Sequence, residues 1–149
     1  MKVLIGCCKK KVLYPPGYKV SAARLYQGLL FRVQLDYARD VWRVPDRDIF
    51  VLSARYGLVG LWQPIEWYEE MLPASRRARI PWAECVCAQA VERFGVREEL
   101  FILAGARYRD PLTTMLEQSS MGFAVSHPVP AGMGYGQQVK WFRQGYADE

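Results

Sequence analysis

The sequence predicts a single α/β domain over residues 1–149, a three-layer α/β/α fold around a mainly parallel sheet of about four strands. Three observations predict it. Apolar runs of strand length alternate four times with stretches of helical periodicity, the pattern that builds a parallel sheet through crossover helices. The runs are almost continuously apolar, as strands are when both faces of a sheet are covered. The chain of 149 residues is one-domain in size, 51% hydrophobic and 23% charged, with no internal repeat, low-complexity segment or linker.

Residues 2–7 (KVLIGC) read as the first strand, followed by a Lys- and Pro-rich loop. Ser21 is placed to cap a helix of about twenty residues whose apolar stripe is Tyr26, Leu30, Val33 and Tyr37. Residues 48–53 (DIFVLS) are the second strand. Residues 60–80 carry no regular pattern and are rich in Trp, Pro and Arg. A helix starts near Pro81, with Trp82, Val86, Ala90 and Phe94 on one face and Gly95 placed to end it. Residues 99–104 (ELFILA) are the third strand, and Asp110-Pro111 opens a helix that ends near Ser119-Ser120. Residues 122–127 (GFAVSH) are the fourth strand. A glycine-rich turn then leads to a last helix with Val139, Phe142 and Tyr146 inward. Each crossover is expected to be right-handed.

Composition narrows the function classes. No apolar run reaches the ~18 residues of a membrane span, and MKVLIGCC lacks the length and cleavage site of a signal peptide, so a cytoplasmic location is expected. The net charge of +5 favours an anionic partner such as nucleic acid, a nucleotide or a phosphate. Cys7 and Cys8 are adjacent, Cys85 and Cys87 lie one residue apart, and the only histidine is His127. This spacing does not match a zinc site, so no metal and no cofactor are expected. Cys85 and Cys87 read as small buried hydrophobes on a helix.

In an open α/β sheet ligands bind outside the carboxyl ends of the strands, so the residues after each strand are the candidates. Cys7-Cys8-Lys9-Lys10-Lys11 follows the first. A thiol beside ammonium groups gains thiolate character, so either cysteine reads as a nucleophile or as packing at a buried strand end. The lysines read as phosphate contacts or as a solvated charge run. Ser53-Ala54-Arg55-Tyr56-Gly57-Leu58 follows the second strand and Gly105-Ala106-Arg107-Tyr108 the third. Arg gives bidentate contacts to phosphate and Tyr a stacking face for a base. Ser126-His127-Pro128 and the glycines at 132, 134 and 136 follow the fourth, where a helix N-terminus attracts anions. His127 reads as a strand cap or a catalytic base. Residues 60–80 read as a lid or wall over the site, with Glu66, Glu69 and Glu70 as acid/base candidates. Arg76, Arg77 and Arg79 read as a basic rim or a solvated face.

Several elements recur together. They are Cys7-x-x-x-Lys11, Arg24-x-Tyr26-x-Gly28-x-x-Phe31, and Ser53-Ala54-x-Tyr56-Gly57-Leu58 with Tyr68 downstream. Leu103-Ala104-Gly105-x-x-Tyr108 and Pro128-x-x-x-Gly132-x-Gly134-x-Gly136-Gln137-Gln138 complete the set. In this combination, across nearly the whole chain, the sequence resembles a largely uncharacterised bacterial, archaeal and phage domain family. That family is distantly similar to the YaaA peroxide-stress proteins, which are associated with DNA binding and protection from oxidative damage. The resemblance implies DNA binding, and DNA rather than RNA as the nucleic-acid partner. This chain is shorter than the YaaA proteins, and its first loop carries Cys where theirs has a different pattern.

Three functions are compatible with these residues. The first is a protein processing a nucleotide, a nucleobase or nucleic-acid bases by transfer or glycosidic chemistry. In it Cys7, Lys11 and Glu69 are the reactive groups. Arg24, Tyr26, Ser53, Arg55, Tyr56, Gly57, Tyr68, Gly105, Arg107, Tyr108, Gly136 and Gln137 hold the ligand. The second is a non-catalytic DNA-binding or DNA-protection protein. The third is a nucleotide sensor.

Overall fold

The computed structural model describes residues 1–7 and 11–147. β1 (Lys2–Gly6) is the central strand; β2 (Lys19–Ser21) and the one-turn α1 (Ala22–Leu25) lead to α2 (Leu29–Asp40). β3 (Ile49–Ser53) hairpins into β4 (Gly57–Gly60), and β5 (Pro64–Glu66) follows. α3 (Ile80–Arg93), β6 (Glu99–Leu103), α4 (Ala106–Arg109), α5 (Leu112–Gln118), β7 (Ala124–Ser126) and α6 (Tyr135–Ala147) complete the fold. The main sheet has five strands in the order β4-β3-β1-β6-β7. β3, β1, β6 and β7 run parallel, and β4 is an antiparallel edge.

Alternation along the strands builds the three layers. Val3, Ile5 and Cys7 of the β1 segment, with Ile49 and Val51 of β3, point to a core shared with α2 and α6. Leu4, Leu52, Leu100 and Ile102 point to the opposite core, against Ala83, Val86 and Ala90 of α3 and Leu112 and Leu116 of α5. Both faces are covered, which is why the strands read as apolar runs. Val139 and Phe142 of α6 face inward as expected. α6 crosses α2 where Gly145 leaves no room for a Cβ beside the Tyr37 ring. The side chain of Tyr146, and Cys8, Lys9 and Lys10 entirely, lie outside the described residues.

Several expectations need correction. The helix of about twenty residues from Ser21 is two helices, α1 and α2. Tyr26 leaves the helical path (φ −89°, ψ 125°), and its hydroxyl meets that of Tyr68 at 2.6 Å. The loop after β1 pairs with this break, the Val12 N–H donating to the Leu25 carbonyl at 2.8 Å. Gly28, extended at φ −62° and ψ 143°, then precedes the first residue of α2. Ser21 makes no capping hydrogen bond, because it ends β2 instead.

The segment 60–80 is more regular than its composition implies. β5 pairs antiparallel with β2, joining Lys19 to Glu66, Val20 to Ile65 and Ser21 to Pro64. The pairing continues through Ala22 N–H to the Gln63 carbonyl (3.2 Å) and Ala23 N–H to the Leu61 carbonyl (2.9 Å). Arg79 does not join a basic rim: it is buried, and its guanidinium donates to the Pro73 and Ala74 carbonyls at 3.2 and 3.0 Å. Cys85 and Cys87 are not core residues either; the first is exposed and the second half-buried, its S–H donating to the Met115 carbonyl.

The segment Ser53–Leu58 is a β-hairpin. Ser53 pairs with Gly57 across a three-residue loop. The Tyr56 N–H donates to the Ser53 hydroxyl at 3.1 Å, and Gly57 adopts the left-handed φ of +74°. Gln89 of α3 clamps the turn. Its Oε1 accepts from the Leu58 N–H at 2.8 Å, and its Nε2 donates to the Tyr56 carbonyl at 3.1 Å. A Cβ at Gly57 would collide with that Oε1.

Candidate active site

A cavity of about 1020 Å³ opens at the carboxyl ends of β1 and β6, where the topology of an open α/β sheet favours a ligand. This is at the upper end of the roughly 300–1,000 Å³ typical of small-molecule sites. Gly6 and Cys7 reach it from β1, and Leu103 and Ala104 from β6. The start of α2 (Gly28, Leu29, Leu30) and the segment Trp67–Leu72 also line it. Gly105–Tyr108 and Tyr135 complete it. Of the segment 60–80, read as a lid or wall, the middle stretch Trp67–Leu72 lines the cavity.

The polar centre is a chain of hydroxyls ending at the Cys7 sulfur. Cys7 is 3% exposed. Its Sγ lies 3.0 Å from the Tyr108 hydroxyl. The Tyr68 hydroxyl donates to the same sulfur over a longer 3.9 Å. Ser53 donates to the Tyr68 oxygen at 2.8 Å, and Tyr26 meets it at 2.6 Å. With Tyr26 as donor in that pair, the one Tyr68 proton is left for sulfur. Burial, and then the neighbouring Cys7 sulfur, push the Tyr26 and Tyr68 phenols well above the ordinary tyrosine value. Both therefore remain proton donors across the physiological range. The arrangement places two tyrosine hydroxyls within hydrogen-bonding reach of a cysteine sulfur at the cavity.

Neighbouring groups fix this centre. The Lys11 ammonium sits 4.5 Å from the Tyr68 ring centroid, a cation–π distance, while also lining the cavity. The Lys11–Tyr26 bridge positions it there. Trp82 stacks edgewise on Tyr108 at 5.6 Å and donates its indole N–H to the Ser53 carbonyl at 2.8 Å. Tyr56 packs edgewise on Tyr68 and accepts the Glu66 N–H at 3.3 Å. At the start of α2 the Leu30 N–H donates to the Tyr135 hydroxyl at 3.0 Å, which satisfies one of the helix's unpaired amides.

Of the expected site residues, the cavity brings together Cys7, Lys11, Tyr68, Glu69, Gly105, Arg107 and Tyr108. Tyr26 and Ser53 lie buried behind it as hydrogen-bond partners, and Tyr56 and Gly57 belong to the supporting hairpin. Arg24, Arg55, Gly136 and Gln137 do not line it. Arg55 lies over the Tyr56 ring and 3.8 Å from the Glu70 carboxylate. Gln137 accepts the Gly134 N–H at 3.0 Å in the turn before α6. His127 lies in a separate pocket of about 260 Å³ with Arg109 and Gln138. There its Nε2 faces the Thr113 hydroxyl at 3.0 Å. Burial, and then the Arg109 charge, hold its pKa below the usual imidazole value. Leu29, Leu30, Gln34 and Tyr135 line the main cavity with no signature in the sequence beyond helical spacing. Among the described residues no His, Cys, Asp or Glu group could hold a metal ion, and no helix is long and apolar enough to cross a membrane.

A family model matches residues 3–144, nearly the whole chain, and so takes in every part of the cavity. The chain belongs to DUF6884, a family of unknown function. No curated protein and no solved structure matches it.

Proposed function

We propose that this DUF6884 protein binds a nucleotide, or a base presented by a nucleic acid, in the cavity at the strand ends and acts on the base through Cys7. The observation that carries the reading is the sulfur of Cys7, held within hydrogen-bonding reach of the Tyr108 and Tyr68 hydroxyls beside a cavity lined by Trp67, Tyr68, Tyr108 and Tyr135. Aromatic walls suit a planar base. Lys11 and Arg107 supply the positive charge that a phosphate needs. Glu69 at the same cavity is the group placed to exchange a proton with the ligand. Cys7 is the nucleophile for transfer or glycosidic chemistry on the base. The test is Cys7→Ala. It should leave the fold intact, keep ligand binding and abolish turnover; unchanged turnover would refute the catalytic part.

A second reading is non-catalytic DNA binding. The exposed Arg76 and Arg77 and the net charge of +5 favour it, as does the distant similarity of the resembled family to the YaaA proteins, which are associated with DNA binding. It requires that Arg76→Ala with Arg77→Ala weakens DNA binding, while Cys7→Ala does nothing. The log of affinity should then fall linearly with the log of salt concentration.

A further inference from the structure

The main cavity contains a polar group that the Cys7 chemistry does not use. Gln34 lines it from α2, one turn after Leu30, which lines it too. Gln34 is 2% exposed and lies among the apolar residues Phe31, Val33, Leu35 and Ala38 of the same helix, all of them buried. Its Oε1 is buried and has no hydrogen-bond partner among the described residues. Buried side-chain oxygens are nearly always paired, because an unpaired one loses its hydration with no return. An apolar side chain of equal length would fill the same space without that loss. A ligand that enters the cavity would supply the partner this oxygen lacks among the described residues.

We infer that Gln34 is a specificity-determining residue that reads the hydrogen-bonding edge of the bound base. The edge it fits carries an N–H donor next to an acceptor. A carboxamide offers an oxygen and an NH₂ side by side, so it pairs with such an edge in two parallel hydrogen bonds, and a half-turn of the amide reverses the order. A base with only acceptors on that edge leaves Oε1 buried and unpaired, which is the situation that gives strong discrimination. The helix holds the amide on regular backbone, with the side chain 2% exposed. This assignment rests on the proposal that the cavity takes a base.

The test uses Gln34→Met, which keeps length and removes both polar atoms, with Gln34→Leu as a second variant should the first pack poorly. Two quantities are measured, the melting temperature without ligand and the affinities for adenosine, guanosine, cytidine, uridine and purine riboside (which has no N–H on its base) by calorimetry. Wild type should bind at least one of the four natural nucleosides and discriminate against purine riboside. The variant should melt at the same temperature or a few degrees higher, while losing about ten- to hundredfold in affinity for the preferred nucleoside and its preference over purine riboside. A structural role for Gln34 predicts the reverse: lower melting temperature and unchanged discrimination, which would overturn the inference while leaving base binding in place. If the wild-type protein binds neither these nucleosides nor their 5′-monophosphates, the base reading and this assignment both fall.

Discussion

Replacing Gly57 with alanine separates a scaffold role for the Ser53–Leu58 segment from direct ligand contact. Gly57 sits at φ +74°, where a residue with a Cβ loses roughly 1–2 kcal/mol. The added methyl would also collide with Oε1 of Gln89, which must move. That Gln89 amide makes two hydrogen bonds to the turn, at 2.8 and 3.1 Å, each contributing about 0.5–1.5 kcal/mol. Backbone strain with partial loss of the clamp gives a destabilisation of roughly 2–4 kcal/mol. In a domain of this size that is a drop in melting temperature on the order of 5–15 °C. Urea titration gives the free energy directly. The same substitution in a Gln89→Ala background should cost only the backbone part, roughly 1–2 kcal/mol, because the collision is gone. Equal costs in the two backgrounds, or a cost below about 0.5 kcal/mol in the wild type, would refute the clamp.

Other expectations concern the site and the sheet edge. Tyr108→Phe removes the hydroxyl 3.0 Å from the Cys7 sulfur and should slow alkylation of Cys7 by iodoacetamide with little change in stability; an unchanged or faster rate would show that this hydroxyl does not assist the reactivity of the sulfur. Asp46 accepts two hydrogen bonds from Arg39, at 2.8 and 2.9 Å, and one from the Trp62 indole. The Arg39 bonds foremost hold its carboxyl below the usual range. The stability this provides is full above the unfolded carboxylate value, near 3.9, and is lost as pH falls through the folded value. The Asp46 side chain is 35% exposed, so solvent screening limits Asp46→Asn to roughly 0.5–1 kcal/mol at pH 7. Stability curves of the two proteins against pH should draw together as pH falls through the lowered folded value; a constant gap would contradict the charged pair.

The parallel core is legible in the sequence because each strand is buried on both faces. Val3, Leu4 and Ile5 alternate between two cores, so the run shows no polar gap. The break after Leu25 is not legible, since Tyr26 fits a helical stripe equally well. Its departure is set by Tyr68 and Val12, partners remote in sequence. β4 and β5 are hidden for a different reason. GLVG and PIE are too short for a period to show, and their pairing depends on β3 and β2. Only Gly57 announces the hairpin locally. In the site, Cys7, Lys11, Glu69, Arg107 and Tyr108 are legible because they follow strand ends or stand out chemically. Gln34 is not, because one amide on an amphipathic helix reads as surface until the cavity beside it is known.

A thermal-shift screen tests whether the cavity takes a base-bearing ligand. Free bases, nucleosides, nucleotides, inorganic phosphate and short single- and double-stranded DNA and RNA are each tested at two salt concentrations. A ligand that binds only the folded protein raises the melting temperature by mass action. At least one base, nucleoside or nucleotide should give a shift that survives high salt, since aromatic walls and buried hydrogen bonds are weakly screened. A shift from nucleic acid alone, lost at high salt, would contradict it.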